Sequence, residues 1–228
     1  MRVLSGPTLT AMNDSLRVAV VTESFLPQVN GVTNSVLRVL ETLSAKGHEA
    51  LVIAPDSAEA PTTYAGFRIK RVPSLAVKGL LPVGFPQRSM EPLIEGFDPD
   101  VIHLASPFFL GKYATRIAQR LNIPTLSIYQ TDVAGFARHY GLSIAHSQLT
   151  NWVANIHKNT DRTLAPSTWS CDQLMTSGVD NVALWQRGVD CVKFNPTKRS
   201  DLLRERCTPA SQNKIIVGRS EEHTSELQ

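Results

Sequence analysis

The sequence predicts an α/β protein built on an open, doubly wound parallel sheet of the Rossmann-like type. The first observation is the apolar run at residues 18–21, which is typical of a strand buried on both faces of a parallel sheet. A loop containing Pro27 and Gly31 follows, and apolar residues then return at helical spacing as far as Gly47. The second observation is that short apolar runs and helical segments keep alternating along the chain, which is the pattern of βαβ units.

The bounds of each element follow from apolar runs, periodicity and punctuation by glycine and proline. The predicted strands are, in chain order, residues 18–21, 48–54, 67–72, 100–105, 124–129, 162–165, 182–185 and 215–217. The predicted helices are residues 32–47, 88–95, 108–121, 147–159, 167–178 and 198–206, the fifth with Ser167 as its N-cap. Residues 67–72 alternate apolar and basic side chains, which predicts a half-exposed strand near a sheet edge. Residues 57–64 and 74–86 are predicted to be loops.

Length and composition are those of an ordinary globular protein. The 228 residues are 42% hydrophobic and 19% charged, with a net charge of +3. No apolar run approaches the roughly 20 residues that cross a bilayer. Cys171, Cys191 and Cys207 are an odd number without metal-ligand spacing, which predicts reduced thiols and no metal site. The basic residues are spread out rather than interleaved with aromatic ones, which argues against a nucleic-acid partner.

The sequences at both ends of the chain lack the alternating strand and helix pattern of its middle. Residues 1–16 are expected to be a flexible leader, with Met12 as an alternative start. Residues 219–228 resemble the translation of a common sequencing-library adapter and are predicted to be a non-native tail, the alternative being a genuine polar C-terminus. We expect one domain over residues 17–186, followed over residues 187–218 by a linker and the start of a truncated second domain.

Four loops are expected to gather at the carboxyl edge of the predicted sheet, where ligands bind in open α/β folds. They are residues 22–31, 105–107, 130–140 and 186–190. Gly31, placed before a helix, would let backbone amides approach a phosphate, and the alternative is that it serves only the turn. His103 lies inside an apolar strand, which favours a buried, hydrogen-bonded structural histidine over a functional one. No GxGxxG motif follows the first strand, which argues against an ordinary dinucleotide site.

Two of these loops carry groups of polar residues that are candidates for chemistry. They are Asp132, Arg138, His139 and Tyr140 on the third loop, and Arg187 and Asp190 on the fourth. For the third loop the alternative is a solvated surface loop. For the fourth the alternative is a structural ion pair or turn.

Four segments carry a resemblance to a known family. They are TESFLPQVNGVTNSV, DPDVIHLASPFFLG, SIYQTDVAGFARHYG and LAPSTWSCDQLMTSGVDNVALWQRGVDCVKFNP. In this order they resemble the N-terminal half of glycosyltransferase family 4, the retaining enzymes of the GT-B fold, over residues 17–196. The segments YQTDVAGFARHYG and WQRGVD most resemble the sequences of GDP-mannose-dependent α-mannosyltransferases of actinobacterial glycolipid and lipoglycan synthesis.

The resemblance implies a role for residues at three places along the chain. They are Asn30, Gly31 and Val32 beside the donor phosphate or sugar; Tyr129, Gln130, Thr131, Asp132, His139 and Tyr140 on the acceptor side; and Arg187 and Asp190 at the cleft. Asp132 and Gln130 are the residues it implies as catalytic. Many family members carry a histidine where this chain has Gln130, so Asp132 is the preferred polar group.

The resemblance also implies a function. The full-length protein would transfer a hexose, mannose from GDP-mannose with a UDP-sugar as the alternative donor, to a lipid-linked or glycan acceptor with retention. We also expect no tightly bound cofactor. The cysteines indicate a cytoplasmic location, and peripheral contact with the inner face of the plasma membrane is a further expectation. This chain alone is expected to have little activity, because the groups that hold the leaving diphosphate belong to the absent half. The alternatives are a non-catalytic sugar- or phosphate-binding module, or a GT-B relative such as a sugar-nucleotide epimerase.

A mixed basic and apolar segment suggests membrane contact. The basic residues Lys70, Arg71, Lys78 and Arg88 surround the apolar residues Leu75, Leu80, Leu81 and Phe85. Such a mixture can dock on anionic lipid. The alternative is a loop that packs on its own domain.

Overall fold

The computed structural model describes residues 15–75, 83–130, 146–186 and 188–207. Contacts divide the chain into two compact units, one ending at Trp185 and the other beginning at Gln186. The predicted strand at residues 215–217, the predicted leader up to Asp14 and the predicted tail lie outside the described residues.

Most of the strands of the first unit form where strands were predicted. The strands are β1 Arg17–Thr22, β2 Glu49–Pro55, β3 Thr63–Tyr64, β4 Phe67–Val72, β5 Ser74–Leu75, β6 Val83–Gly84, β7 Val101–Ala105, β8 Thr125–Ile128, β9 Arg162–Ala165 and β10 Val182–Leu184. The predicted bounds of residues 67–72 and 162–165 are reproduced, and the other predicted strands differ by a residue or so at an end.

Eight of these strands form one sheet in the order β10-β9-β8-β7-β1-β2-β4-β3. Every neighbouring pair is parallel except β3 and β4. The strand order reverses between β1 and β7, the point at which an open α/β sheet forms a ligand-binding crevice. The predicted doubly wound parallel sheet is therefore confirmed.

The helices lie between the strands along the chain. They are α1 Gly31–Ala45, α2 Met90–Phe97, α3 Phe109–Leu121, α4 His146–Lys158 and α5 Thr168–Thr176, with a 3-10 turn at Pro196–Lys198 and α6 Asp201–Cys207 in the second unit. Ser167 caps α5 as predicted, because its hydroxyl accepts the backbone N–H of Ser170. Among the described residues, none of the helices has the length and apolar character needed to cross a bilayer.

Alternate residues of the central strands enter two separate cores, one on each face of the sheet. On one face, Val20 and Val52 pack with Leu40 of α1. On the other, Val21 and Ile53 belong to a cluster that includes residues of α2 and α3. This is why the central strands read as continuous apolar runs rather than as alternating ones.

Three local predictions are corrected by the structure. Residues 57–64 were expected to form a loop but contain β3, and residues 74–86 contain the antiparallel pair β5 and β6. Strand β4 lies next to the edge strand β3 and is half-exposed, so its prediction as a strand near a sheet edge is confirmed. Helix α2 begins and ends two residues later than predicted, at Met90 and Phe97.

Candidate functional site

A crevice lies at the carboxyl ends of the neighbouring strands β1 and β7, between the loops that follow them. Thr22, the last residue of β1, pairs with Ala105, the last residue of β7. The loop after β1 leads to Gly31, and the loop after β7 leads into α3. Two of the four predicted loops therefore lie side by side at the point where strand order reverses.

The loop after β1 is held by a small network of polar side chains. Asn30 is the N-cap of α1, and its Oδ1 accepts the backbone N–H of Thr33 at 2.9 Å. Its Nδ2 donates to Oγ of Ser24 at 2.7 Å, and that oxygen also lies 3.2 Å from Oγ1 of Thr33. The hydroxyl of Thr22 donates to the carbonyl of Ser24 at 2.7 Å. The network fixes Gly31 as the first residue of α1, where backbone N–H groups lack partners within the helix.

Of the three residues expected beside the donor, Asn30 thus has a capping role in the structure, and Gly31 begins the helix. Val32 packs partly against the apolar cluster below α1. A helix N-terminus favours negative charge, so this segment can stabilise a phosphate group. The donor-side role of these three residues stays a prediction.

Arg71 holds the same loop from the opposite side. Its guanidinium donates to the carbonyls of Pro55 at 3.0 Å, Pro61 at 2.9 Å and Leu26 at 3.2 Å, and it lies 5.4 Å from the ring centroid of Phe25. Burial lowers the pKa of Arg71. Since three backbone carbonyls occupy it, Arg71 is an internal brace and not the membrane-facing charge that the sequence suggested.

A polar cavity of about 910 Å³ opens beside Arg71. It lies at the carboxyl ends of β2 and β4, on the same edge of the sheet as the crevice. Its lining includes Gln28, Asp56, Lys70, Arg71, Gln87 and Ser89. Hydroxyl, amide and charged groups of this kind can bind the polar groups of a sugar or headgroup.

Glu23 is a residue of the crevice that the sequence prediction missed. It follows β1 directly, and its Oε1 accepts the backbone N–H groups of Phe108 at 2.8 Å and Gly111 at 3.0 Å. Burial raises the pKa of Glu23 to about 7, although the hydrogen bonds from the backbone N–H groups of Gly111, Phe108 and Leu110 act in the opposite direction. A glutamate one residue past a buried strand gives no periodic or motif signal, so only the fold reveals its partners.

The end of β8 carries the first residues of the predicted acceptor side. The backbone N–H of Tyr129 donates to the carbonyl of Leu164 at 2.8 Å, and its ring lies 5.5 Å from that of His157 in an edge-to-face contact. Tyr129 also packs against the small core that includes Ala165 and Leu174. Both Tyr129 and Gln130 are partly buried. The contacts of Tyr129 are therefore those of a packing residue, and a substrate role for it or for Gln130 stays a prediction.

Several predicted site residues lie outside the described part of the chain. They are Thr131, Asp132, Arg138, His139, Tyr140 and Arg187. Asp190 is described within the second unit, where its Oδ1 accepts the backbone N–H groups of Val192 at 3.1 Å and Lys193 at 2.9 Å. These contacts match the turn that the sequence left open as an alternative for Asp190.

Two histidines in the described part of the first unit have buried rings. His103 lies on β7 and is 7% exposed, and His157 is 1% exposed with its Nδ1 2.9 Å from Oγ of Ser127. Burial lowers the pKa of each histidine to about 4, so both rings are neutral at pH 7. The expectation that His103 is buried is confirmed. Within the described ranges, no group of three or more His, Cys, Asp or Glu side chains could hold a metal ion.

Comparison with known proteins decides the family. The model of Glycosyltransferase Family 4 matches residues 29–193, which run from just before α1 through β10 and leave out β1. The chain belongs to glycosyltransferase family 4. Within this family it is 49% identical to the GDP-mannose-dependent alpha-mannosyltransferase of Corynebacterium glutamicum over 211 residues, which are 90% of this chain and 51% of that relative. It is 48% identical to the protein of the same name from Mycobacterium tuberculosis over 209 residues, which are 89% of this chain and 55% of that relative.

A solved structure supports the fold of this family 4 chain. A glycosyltransferase from Rickettsia africae superposes with a TM-score of 0.54 at 16% identity, covering 85% of this chain and 48% of that structure. At this identity the likeness concerns the fold alone, and it confirms a GT-B half. The chain spans about half the length of the curated relatives it matches.

Proposed function

We propose that the protein containing this chain transfers mannose from GDP-mannose to a lipid-linked or glycan acceptor, with retention at the anomeric carbon. The observation that carries the proposal is the 49% identity to a GDP-mannose-dependent alpha-mannosyltransferase over 90% of this chain. The donor is a nucleotide sugar, and GDP-mannose is the specific choice, with a UDP-sugar as the alternative. No tightly bound cofactor is part of the proposal.

The geometry of the crevice fits this role. The fixed start of α1 at Gly31 offers backbone N–H groups to a phosphate, which is the charge that departs in sugar transfer from a nucleotide diphosphate. The polar cavity beside Arg71 offers amides and hydroxyls to an acceptor. Catalysis of this kind depends on positioning the acceptor and stabilising the leaving group, with Asp132 and Gln130 proposed as the polar groups nearest the reaction.

The boundaries of the two units suggest how the chain is organised. We propose that residues 17–186 are the N-terminal glycosyltransferase domain and that residues 187–218 are the linker and first part of the second. Residues 219–228 are proposed to be a non-native tail. The groups that hold the leaving diphosphate would then belong to the missing half, and this chain by itself would have little or no transferase activity.

The decisive experiment measures transfer by the full-length gene product. Labelled GDP-mannose, UDP-glucose and UDP-N-acetylglucosamine are offered in turn with a lipid extract as acceptor, and the anomeric configuration of the product is read by NMR. We expect transfer from GDP-mannose with retention, and a loss of at least tenfold in kcat for Asp132→Asn. Transfer from a UDP-sugar alone, or an inverted product, would contradict the proposal. Turnover by the 228-residue chain at the full-length rate would contradict its proposed incompleteness.

A second proposal is peripheral contact with the inner face of the plasma membrane, from a cytoplasmic location. Leu75 and Phe85, at and beside the β5–β6 pair, are 56% and 47% exposed. Lys70 and Arg88 nearby in the sequence are also exposed. Exposed apolar side chains accompanied by basic ones suit an anionic lipid surface.

Vesicle sedimentation tests the membrane proposal. We expect this chain to bind vesicles with 30% phosphatidylglycerol more strongly than neutral vesicles, and Phe85→Ser combined with Lys70→Ser to weaken that binding. Ala58→Ser, an exposed position of the same edge, is the matched control. Equal binding to neutral and anionic vesicles would remove the proposal.

A further inference from the structure

Glu23 joins two loops that are far apart in sequence. It belongs to the loop after β1, and its two hydrogen-bond donors, Phe108 and Gly111, lie 85 and 88 residues further along the chain. These donors stand at the start of α3, directly after the loop that follows β7. The carboxyl group of Glu23 therefore spans the crevice at the point where strand order reverses.

The start of α3 has no local cap. Phe108 stands at the N-cap position, and a phenylalanine side chain makes no capping hydrogen bond there. The first N–H groups of a helix have no partner within the helix, and a nearby side-chain oxygen normally accepts one of them. In this chain, Oε1 of Glu23 takes that place for two of them. The cap of α3 is thus supplied by the loop that leads to Gly31.

The backbone around the hydrogen bonds of Glu23 is closely packed, so neighbouring residues have little space to move when Glu23 is replaced. A Cβ atom added to Gly111 would collide with Cβ of Pro107 and lie 3.8 Å from Oε1 of Glu23. Ser106 adopts a left-handed backbone with φ of 54°, which is strained for a residue other than glycine.

The same loop is continuous with the network around Gly31. Glu23 stands between Thr22 and Ser24, which are linked by the hydrogen bond from the Thr22 hydroxyl to the Ser24 carbonyl. Ser24 in turn accepts from Asn30, the cap of α1. Hydrogen bonds therefore connect the start of α3 to Glu23, and its neighbour Ser24 to the start of α1.

We propose that Glu23 is a positioning residue that couples the start of α3 to the phosphate-facing start of α1, so that the two walls of the crevice keep one relative geometry. The expected effect on catalysis rests on the proposed transfer function, whereas the coupling between the two helices does not. Glu23 acts through Asn30 and Gly31 and does not itself contact the substrate. An amide oxygen in place of the carboxylate can accept the same two N–H groups, so Glu23→Gln should preserve the coupling and Glu23→Ala should abolish it.

The first arm of the test uses hydrogen exchange on this chain and needs no activity. For Glu23→Ala we expect faster exchange at the N–H groups of Phe108 and Gly111 and also, by at least fivefold, at those of Thr33 and Asn34 in α1. Glu23→Gln should restore slow exchange at all four. Asp161→Ala is the matched control, because Asp161 accepts the N–H and the hydroxyl of Thr125 at 2.8 Å and 2.7 Å near the opposite edge of the sheet. Exchange that rises at α3 while α1 is unchanged would overturn the coupling.

The second arm uses the full-length protein. We expect Glu23→Ala to lower kcat for GDP-mannose transfer by tenfold or more with a smaller change in KM, and Glu23→Gln to stay within threefold of wild type. Equal losses in the Ala and Gln variants, or no loss in either, would overturn the positioning role. If the wild type transfers nothing from GDP-mannose, the proposed function fails, and the exchange arm still decides whether Glu23 couples the two helices.

Discussion

Glu23 should make the stability of this chain depend on pH in a direction opposite to that of most carboxylates. Its pKa is about 7 in the folded protein against an ordinary value of 4.5. The folded state therefore binds the proton more tightly than the unfolded state between these two values. By linkage, the contribution of Glu23 to stability is fully present below about pH 4.5 and is lost as the pH rises through about 7.

The size of the effect follows from the separation of the two pKa values. At about 1.4 kcal/mol per pH unit, the interval from 4.5 to about 7 corresponds to roughly 3.5 kcal/mol as an upper limit. Glu23 is only partly buried as a residue, so screening by solvent reduces the expected loss to about 1–2 kcal/mol. Glu23→Gln keeps the acceptor oxygen and removes the titration.

Urea unfolding of the wild type and of Glu23→Gln at pH 5 and pH 8 measures this contribution. The wild type should lose about 1–2 kcal/mol more than the variant between the two pH values. His103 and His157 titrate in both proteins, so their effect cancels in the difference. Parallel stability profiles for the two proteins would refute the reasoning, because the pKa of Glu23 would then be the same folded and unfolded.

Three further predictions concern the described core and caps. Acidification below pH 6.5 should destabilise the Glu23→Gln variant, in which the opposing titration of Glu23 is removed, because His103 and His157 have pKa values of about 4 when folded and the unfolded state takes up protons first; urea unfolding of that variant at pH 4 and 7 measures the loss. Leu40→Ala, at a site with 0% exposure, should cost about 2–5 kcal/mol in chemical denaturation, whereas Leu75→Ala at 56% exposure should change stability by less than about 0.5 kcal/mol. Asn30→Ala should cost about 1 kcal/mol, and faster hydrogen exchange at the start of α1 should accompany it.

The sequence was sufficient to predict the sheet because its central strands are buried on both faces and because glycine, proline or polar residues clearly mark the ends of the others. The run before Thr22 and the run at Arg162–Ala165 are examples, and the Ser167 cap is a local signal that needs no tertiary knowledge. The two-residue strands were missed for the converse reason. Thr63–Tyr64 and Val83–Gly84 are too short to show a period, and pairing with a neighbour is what makes them strands.

The candidate site was predicted less completely than the fold, because its contacts are long-range. Asn30 carried a signal that could have been used, since asparagine directly before a helix is a preferred cap. Glu23 carried none, because its partners are 85 and 88 residues away and are backbone groups that any residue would offer. Arg71 looked like a surface charge until its three carbonyl partners were placed around it. The roles of Asp132, Gln130 and Arg187 remain predictions.

The outermost strands of the described sheet, Thr63–Tyr64 and Val182–Leu184, are also among its shortest. An edge strand exposes unpaired backbone donors and acceptors that can recruit a strand from another molecule, and a short edge offers few of them. Each outermost strand therefore gives an incoming chain two or three residues to pair with. The long apolar strands lie in the middle of the sheet, between these short outermost strands. We therefore expect the concentrated protein to resist aggregation by strand pairing between molecules.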